Sequence, residues 1–317
     1  MIDFIKATKI LDKDTPFLGH CELEVTYNTS GWEKYLLHGC SDIELRWNPQ
    51  TKWIMLQGSI MYYCQGHNFT FDKRLFFEAI QHINNLTKVD WWSAIVEVLE
   101  FGVIMEVQEQ PKEYIKNHYA PAREKLTMNE KPQDKGCLKW WKDSNVSLKM
   151  YDENRNIKMK QSKVMQETIE EAGWNPCGKY LKWECHYIKP QVLNHGNGLK
   201  LCNLMNPKWE CIFKEDLYLQ YKRLIPMKGI IIPTDKKELS TPDILVLDEV
   251  QAAMALGETI EEVKKRKYDF INALPLKKGD KDARKRQVKS LFDKIEEESE
   301  SKWDLSDKLQ EALNKKD

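Results

Sequence analysis

The run Ser147-Leu148-Lys149-Met150-Tyr151-Asp152-Glu153-Asn154 sets a tyrosine between a lysine and an aspartate, then turns polar. On an extended strand alternate side chains share a face, which groups Lys149, Tyr151 and Glu153 and sends Asp152 to the other side. A tyrosine hydroxyl ionises near pH ~10 and is a weak nucleophile unless its anion is stabilised. A lysine two residues away, or a divalent ion held by carboxylates, would supply that stabilisation. Most strand tyrosines only pack, so the octapeptide needs company. Two further segments provide it. Val98-Leu99-Glu100-Phe101-Gly102 places an acid in an otherwise apolar stretch, where burial is costly unless the charge is paired or bound to a metal. Tyr180-Leu181-Lys182-Trp183-Glu184-Cys185-His186-Tyr187-Ile188-Lys189 alternates so that Lys182, Glu184 and His186 face one way, Trp183 and Cys185 the other.

The elements that must position these residues follow from periodicity. Met1 to Lys6 reads as a first strand. Glu22 to Tyr27 alternates cleanly, and Ile43–Trp47 and Trp53–Ile60 form a hairpin through the turn Asn48-Pro49-Gln50-Thr51. Asp72 caps a helix to Leu86 whose apolar face is Leu75, Phe76, Ala79, Ile80 and Ile83. A buried strand is predicted over Ala94 to Val107, and a helix plus loop over the polar stretch Lys112 to Lys135. Helices are predicted over Val164–Ala172, ending at Gly173, and over Lys214–Leu224. Strands mixed with helices without a βαβ repeat imply an α+β fold, a mainly antiparallel central sheet with flanking helices. After Pro233 the composition turns helical. The expected division is 1–235 for the domain holding these motifs and 236–317 for a charged helical C-terminal region.

The 317 residues carry 49 Lys and Arg against 49 Asp and Glu, so local patches matter more than the total charge. Residues 263–294 hold twelve Lys and Arg against four Asp, densest at Lys264-Lys265-Arg266-Lys267 and Arg284-Lys285-Arg286. Such a stretch can neutralise nucleic-acid phosphates, or be a solvated helix face paired with the acidic tail that begins at Glu296. Eight scattered cysteines without a CxxC pair, and no secretory leader pattern, suggest free thiols in a reducing cytoplasm. No apolar run reaches the roughly 18 residues of a membrane span. A zinc module built from Cys177, Cys185, His186, Cys202 and Cys211 lacks finger spacing. No phosphate loop, dinucleotide fingerprint or serine elbow is present.

Taken in order, the segments resemble the rolling-circle replication initiators of small plasmids and filamentous phages, most of all the group around the filamentous-phage gene II protein. The match runs from Met1 to about Lys189. It rests on Gln65-Gly66-His67-Asn68 between a strand and a helix, on the strand bearing Glu100, on the tyrosine strand and on the basic-aromatic-Glu strand at Glu184. Val98 stands where the group often has arginine. The wider class often holds its metal with a His-x-His pair, and no such pair occurs here.

The resemblance implies a metal-dependent site-specific nickase. Tyr151 would attack a scissile phosphate in locally single-stranded plasmid or phage origin DNA, leaving a 5′-phosphotyrosine and a free 3′-OH. Mg²⁺ or Mn²⁺ would rest on Glu100 and Glu184, with His67 or His186 assisting. Lys149, with Lys182 as a second candidate, would lower the tyrosine pKa or hold a phosphate oxygen. Tyr62, Tyr63 or Tyr187 could serve as further nucleophiles, and the basic clusters at 264–267 and 284–286 would bind DNA. Host helicase and polymerase are the implied partners, a homodimer is compatible with the pattern, and no membrane is involved. The alternative is a non-catalytic origin-binding protein that recruits the host replication machinery.

Overall fold

A computed structural model describes residues 2–11, 21–24, 31–37, 42–226, 241–255, 258, 260–297, 301 and 303–314. Its strands are β1 (Ile2–Ile10), β2 (Cys21–Glu24), β3 (Glu33–Leu37), β4 (Ile43–Asn48), β5 (Trp53–Gly58), β6 (Ile95–Glu106), β7 (His118–Tyr119), β8 (Thr127–Asn129), β9 (Leu138–Lys142), β10 (Val146–Asp152), β11 (Tyr180–Tyr187) and β12 (Ile225–Pro226). The helices are α1 (Ile60–Gln65), α2 (Lys73–Thr87), α3 (Pro111–Lys116), α4 (Glu153–Lys160), α5 (Lys163–Glu171), α6 (Pro207–Tyr221), α7 (Thr241–Ala255), α8 (Ile260–Ala273), α9 (Lys278–Glu297) and α10 (Ser306–Asn314). The architecture is the expected α+β, a ten-stranded sheet in the order β2-β3-β4-β5-β1-β6-β11-β10-β9-β8 with every neighbouring pair antiparallel.

Several elements form where local chemistry puts them. The β4–β5 hairpin pairs Asn48 with Trp53, and the Asn48 side chain accepts from the Gln50 and Thr51 amides inside the turn. Asp72 caps α2 by accepting from the Arg74 and Leu75 amides at 2.7 and 3.1 Å, and Phe76, Ala79, Ile80 and Ile83 are buried at helical spacing. Of the predicted strand Glu22–Tyr27, residues 25–27 lie outside the described residues.

Three expectations need correction. The chain does not enter a polar turn after Asp152. That residue ends β10 and caps α4, accepting from the Arg155 amide at 3.0 Å, with Glu153 in the first turn and Lys158 and Lys160 in the last, charges that suit the helix dipole. Glu153 therefore leaves the strand face of Lys149 and Tyr151 and is buried as the first residue of a helix. Helix α6 begins seven residues earlier than its apolar pattern suggests, with Pro207 in its first turn, where a missing N–H costs nothing.

Two compact units emerge: Met1–Ile115, Thr127–Tyr221 and Ser306–Asp317 in the first, Lys116–Leu126 and Lys222–Leu305 in the second. The chain thus divides at places other than residue 235, because α10 packs its buried Leu309 and Leu313 back into the first unit, against β6 and α6. Within the first unit one sheet face is apolar: Phe101 stacks on Tyr187 and meets Phe213 of α6, and the Trp183 indole donates to the Leu217 carbonyl at 3.0 Å. The second unit has a small core of Leu247, Val250, Ala253, Val263, Leu291 and Phe292 from α7, α8 and α9.

Candidate active site

The opposite face of the same sheet is charged. Register brings the sequence motifs together there: Lys149 pairs with Glu184, Tyr151 with Lys182, His186 with Glu100, and Glu184 with Gly102. Directly opposed residues of an antiparallel pair point the same way, so six side chains separated by up to 86 positions become neighbours across β6, β11 and β10. Gly102 permits the approach. A Cβ there would lie 2.6 Å from the Trp183 carbonyl oxygen and 3.1 Å from the Glu184 Cα.

A fourth strand completes the cluster. Between Ile2↔Phe101 and Phe4↔Glu100 the β1–β6 register shifts, leaving Asp3 as the extra residue of a β-bulge beside Glu100. Asp3, Glu100 and Glu184 bring one carboxylate oxygen each within 4.8 Å of one another, and among the described residues no other set of His, Cys, Asp and Glu does so. Asp3 is the site residue that sequence reading missed. Its signal was the one that marked Glu100: an acid inside the apolar run Ile2-Asp3-Phe4-Ile5.

Two lysines sit among these acids. Lys149 Nζ donates to Glu184 Oε1 at 2.8 Å and, more tightly, to Glu100 Oε2. Lys182, only 2% exposed, is ion-paired with Asp3, lies 3.8 Å from Glu184 Oε2 and sits over the Tyr151 ring, 5.8 Å from its centroid. His186 Nδ1 is 2.7 Å from Glu100 Oε2. The Tyr151 hydroxyl donates to Glu184 Oε2 at 3.0 Å.

These contacts set the ionisation states. Burial pushes the Glu100 carboxyl up, but the His186 ring and the Lys149 ammonium outweigh it and hold the group low, at about 2. Glu184 goes the other way: burial first, then the adjoining Glu100 charge, push it up to about 8 against the pull of Lys149 and Lys182. Lys149 is raised, because Glu184 and Glu100 overcome its desolvation. The Tyr151 phenol is pushed well above its ordinary value by burial and by the charge of Glu184. The expectation that Lys149 lowers this tyrosine's pKa is therefore corrected: both lysines spend their charge on carboxylates, and the phenol's hydrogen-bond partner is Glu184.

A cavity of about 620 Å³ opens on the cluster, with Tyr151, Glu184, Lys149 and Glu100 in its lining, together with Trp140, Tyr62, Arg155 and Lys160. Tyr62 accepts from Gln161 Nε2 at 2.9 Å, and burial pushes its hydroxyl up to about 12. Of the other tyrosines considered, Tyr63 bonds to His82 Nδ1 at 2.7 Å, and Tyr187 donates to Asp216 on the apolar face; neither lines this cavity. His67 is buried beside Gln65, whose Nε2 is 3.3 Å from its Nδ1, and it stands outside the acidic group, whose third carboxylate is Asp3. Gly66 of the same tetrapeptide closes α1 at φ +77, and Asn68 borders the cavity.

The three carboxylates suit Mg²⁺ or Mn²⁺ in donor type but not in charge balance, because Lys149 and Lys182 already neutralise two of them. The cysteines assemble no zinc set among the described residues: Cys185 is buried, and Cys177, Cys202 and Cys211 are exposed. In the second unit the basic clusters differ. Lys264 lies 3.5 Å from Asp293, Arg266 pairs with Glu258 and Lys267 with Glu249, all outside the acidic tail. Lys265, Arg284, Lys285 and Arg286 pair with no carboxylate among the described residues, and Lys265, Arg284 and Arg286 are exposed. No described helix is long and apolar enough to cross a membrane. Comparison with protein-family models, curated proteins and solved structures finds no match.

Proposed function

We propose that the chain is a tyrosine-dependent DNA-nicking enzyme that initiates rolling-circle replication at a plasmid or phage origin. One observation carries the reading. The segments that resemble the initiators, far apart in sequence, meet on adjacent strands with the Tyr151 hydroxyl 3.0 Å from Glu184 at an open cavity. The Tyr151 oxygen attacks the phosphorus of the scissile phosphodiester and its proton passes to Glu184 Oε2. A Tyr–O–P bond forms, the P–O3′ bond breaks, and the departing oxygen takes a proton from water to become the 3′-OH. Energy of the broken ester is retained in the new one, which allows rejoining. Arg155 and Lys160 at the cavity can receive flanking phosphates, and Trp140 offers an aromatic face for an unstacked base. Exposed cations of α9 would add sequence-independent affinity for the duplex.

Supercoiled plasmid carrying a candidate origin, with and without divalent metal, is the test. Wild type should give nicked circles with covalently attached protein, and Tyr151→Phe should give none. Adduct formed by the Tyr151→Phe protein, mapped by mass spectrometry to another residue such as Tyr62, would overturn the nucleophile assignment. The raised phenol favours one competing reading, a non-catalytic origin-binding protein. Origin binding without nicked product under every metal condition would select it.

A further inference from the structure

We infer that Lys149 and Lys182 are built-in cations that occupy the acidic cluster, so that it takes up no divalent ion and presents Lys149 to phosphoryl oxygens instead. The assignment starts from charge. Asp3, Glu100 and Glu184 bring at most three negative charges, and the two ammoniums bring two positive ones, with the His186 ring 2.7 Å from Glu100 as a further donor. Adding a divalent cation would leave the site with excess positive charge in a place of low solvent access.

Geometry points the same way. Lys149 Nζ bridges Glu100 and Glu184, the position between two oxygens that a metal would need. Lys182 is buried at 2% exposure against the face of the Tyr151 ring, and its partner Asp3 at 5%, so displacing it would strand an ammonium without water. An ammonium has three N–H donors. Lys149 uses two on carboxylates and, with 30% of its side chain exposed in the cavity lining, keeps one for an incoming oxyanion. The role of that third donor rests on the nicking reading; the exclusion of a divalent ion does not.

Mn²⁺ titration of the full chain without DNA, followed by the electron paramagnetic resonance signal of the free ion, separates the two. Wild type should show no saturable site at millimolar Mn²⁺, and its melting temperature should not move with Mg²⁺, Mn²⁺ or chelator. Lys149→Met, checked for folding by near-UV circular dichroism, should acquire one site at least about tenfold tighter. Lys149→Arg, which keeps the charge, should acquire none. One tight Mn²⁺ site in wild type that Glu184→Gln abolishes would overturn the inference. So would a folded Lys149→Met protein that still binds no metal. These outcomes are independent of whether DNA is cut.

Discussion

Charged residues of the sheet and charged residues of α8 and α9 are drawn from the same few types and play opposite parts. In the sheet, Asp3, Lys182 and Glu184 are at most 5% exposed, and each holds a partner of opposite sign or a hydroxyl. On α8 and α9, Lys265, Arg284 and Arg286 are exposed with no carboxylate partner among the described residues, while Lys264, Arg266 and Lys267 form surface pairs. Low dielectric makes each sheet charge dependent on its neighbours, and high dielectric with salt makes each helix charge nearly independent of them. Buried charge is thus committed to an arrangement that can do chemistry, and exposed charge stays available for a polyanion.

The sharpest way to break the contrast is Lys182→Ala. Removing one member of a buried ion pair leaves Asp3 unpaired in the sheet, and urea unfolding should show a loss of about 3–5 kcal/mol. A loss no larger than that of a surface substitution would mean that the cluster is solvated in solution and the contrast false.

Next in size is a pH effect with two limbs of opposite sign. Glu100 is held below its ordinary value, so its contribution is present above about 4.5 and is lost as pH falls toward about 2. Glu184 is held above its ordinary value, so its contribution is present below about 4.5 and is lost as pH rises through about 8. Chemical denaturation across pH should therefore show stability declining from about 4.5 to about 8, and Glu184→Gln should flatten that decline. As the base form of Glu184 grows over the same range, adduct formation should accelerate with pH until about 8.

The smallest effect is expected on α9. Arg284→Ala together with Arg286→Ala should leave the melting temperature unchanged while lowering DNA affinity at low salt. The slope of log affinity against log salt should fall by about 1 to 2 if these cations meet phosphates. An unchanged slope would assign the helix to solvation alone.

Much of the site was legible because period-2 alternation is local. The facial grouping of Lys182, Glu184 and His186, and the separation of Trp183 and Cys185 onto the packed side, follow from neighbouring residues alone and hold in the structure. The hairpin turn at Asn48 and the cap at Asp72 were equally local. Asp152 carried a helix-cap signal, with Glu153 behind it, that the strand pattern before it obscured.

By itself, the sequence determined which short elements form and which side chains share a face within each, since periodicity, caps and turn residues act over a few positions. Only the tertiary structure decided that β1, β6, β11 and β10 lie side by side in that order, that a bulge adds Asp3 beside Glu100, and that Tyr151 leans on Glu184 rather than on Lys149. Strand order and register in this sheet depend on pairing between residues up to 99 positions apart, and the identity of a charge's partner is settled by which oxygen lies nearest once water has been excluded.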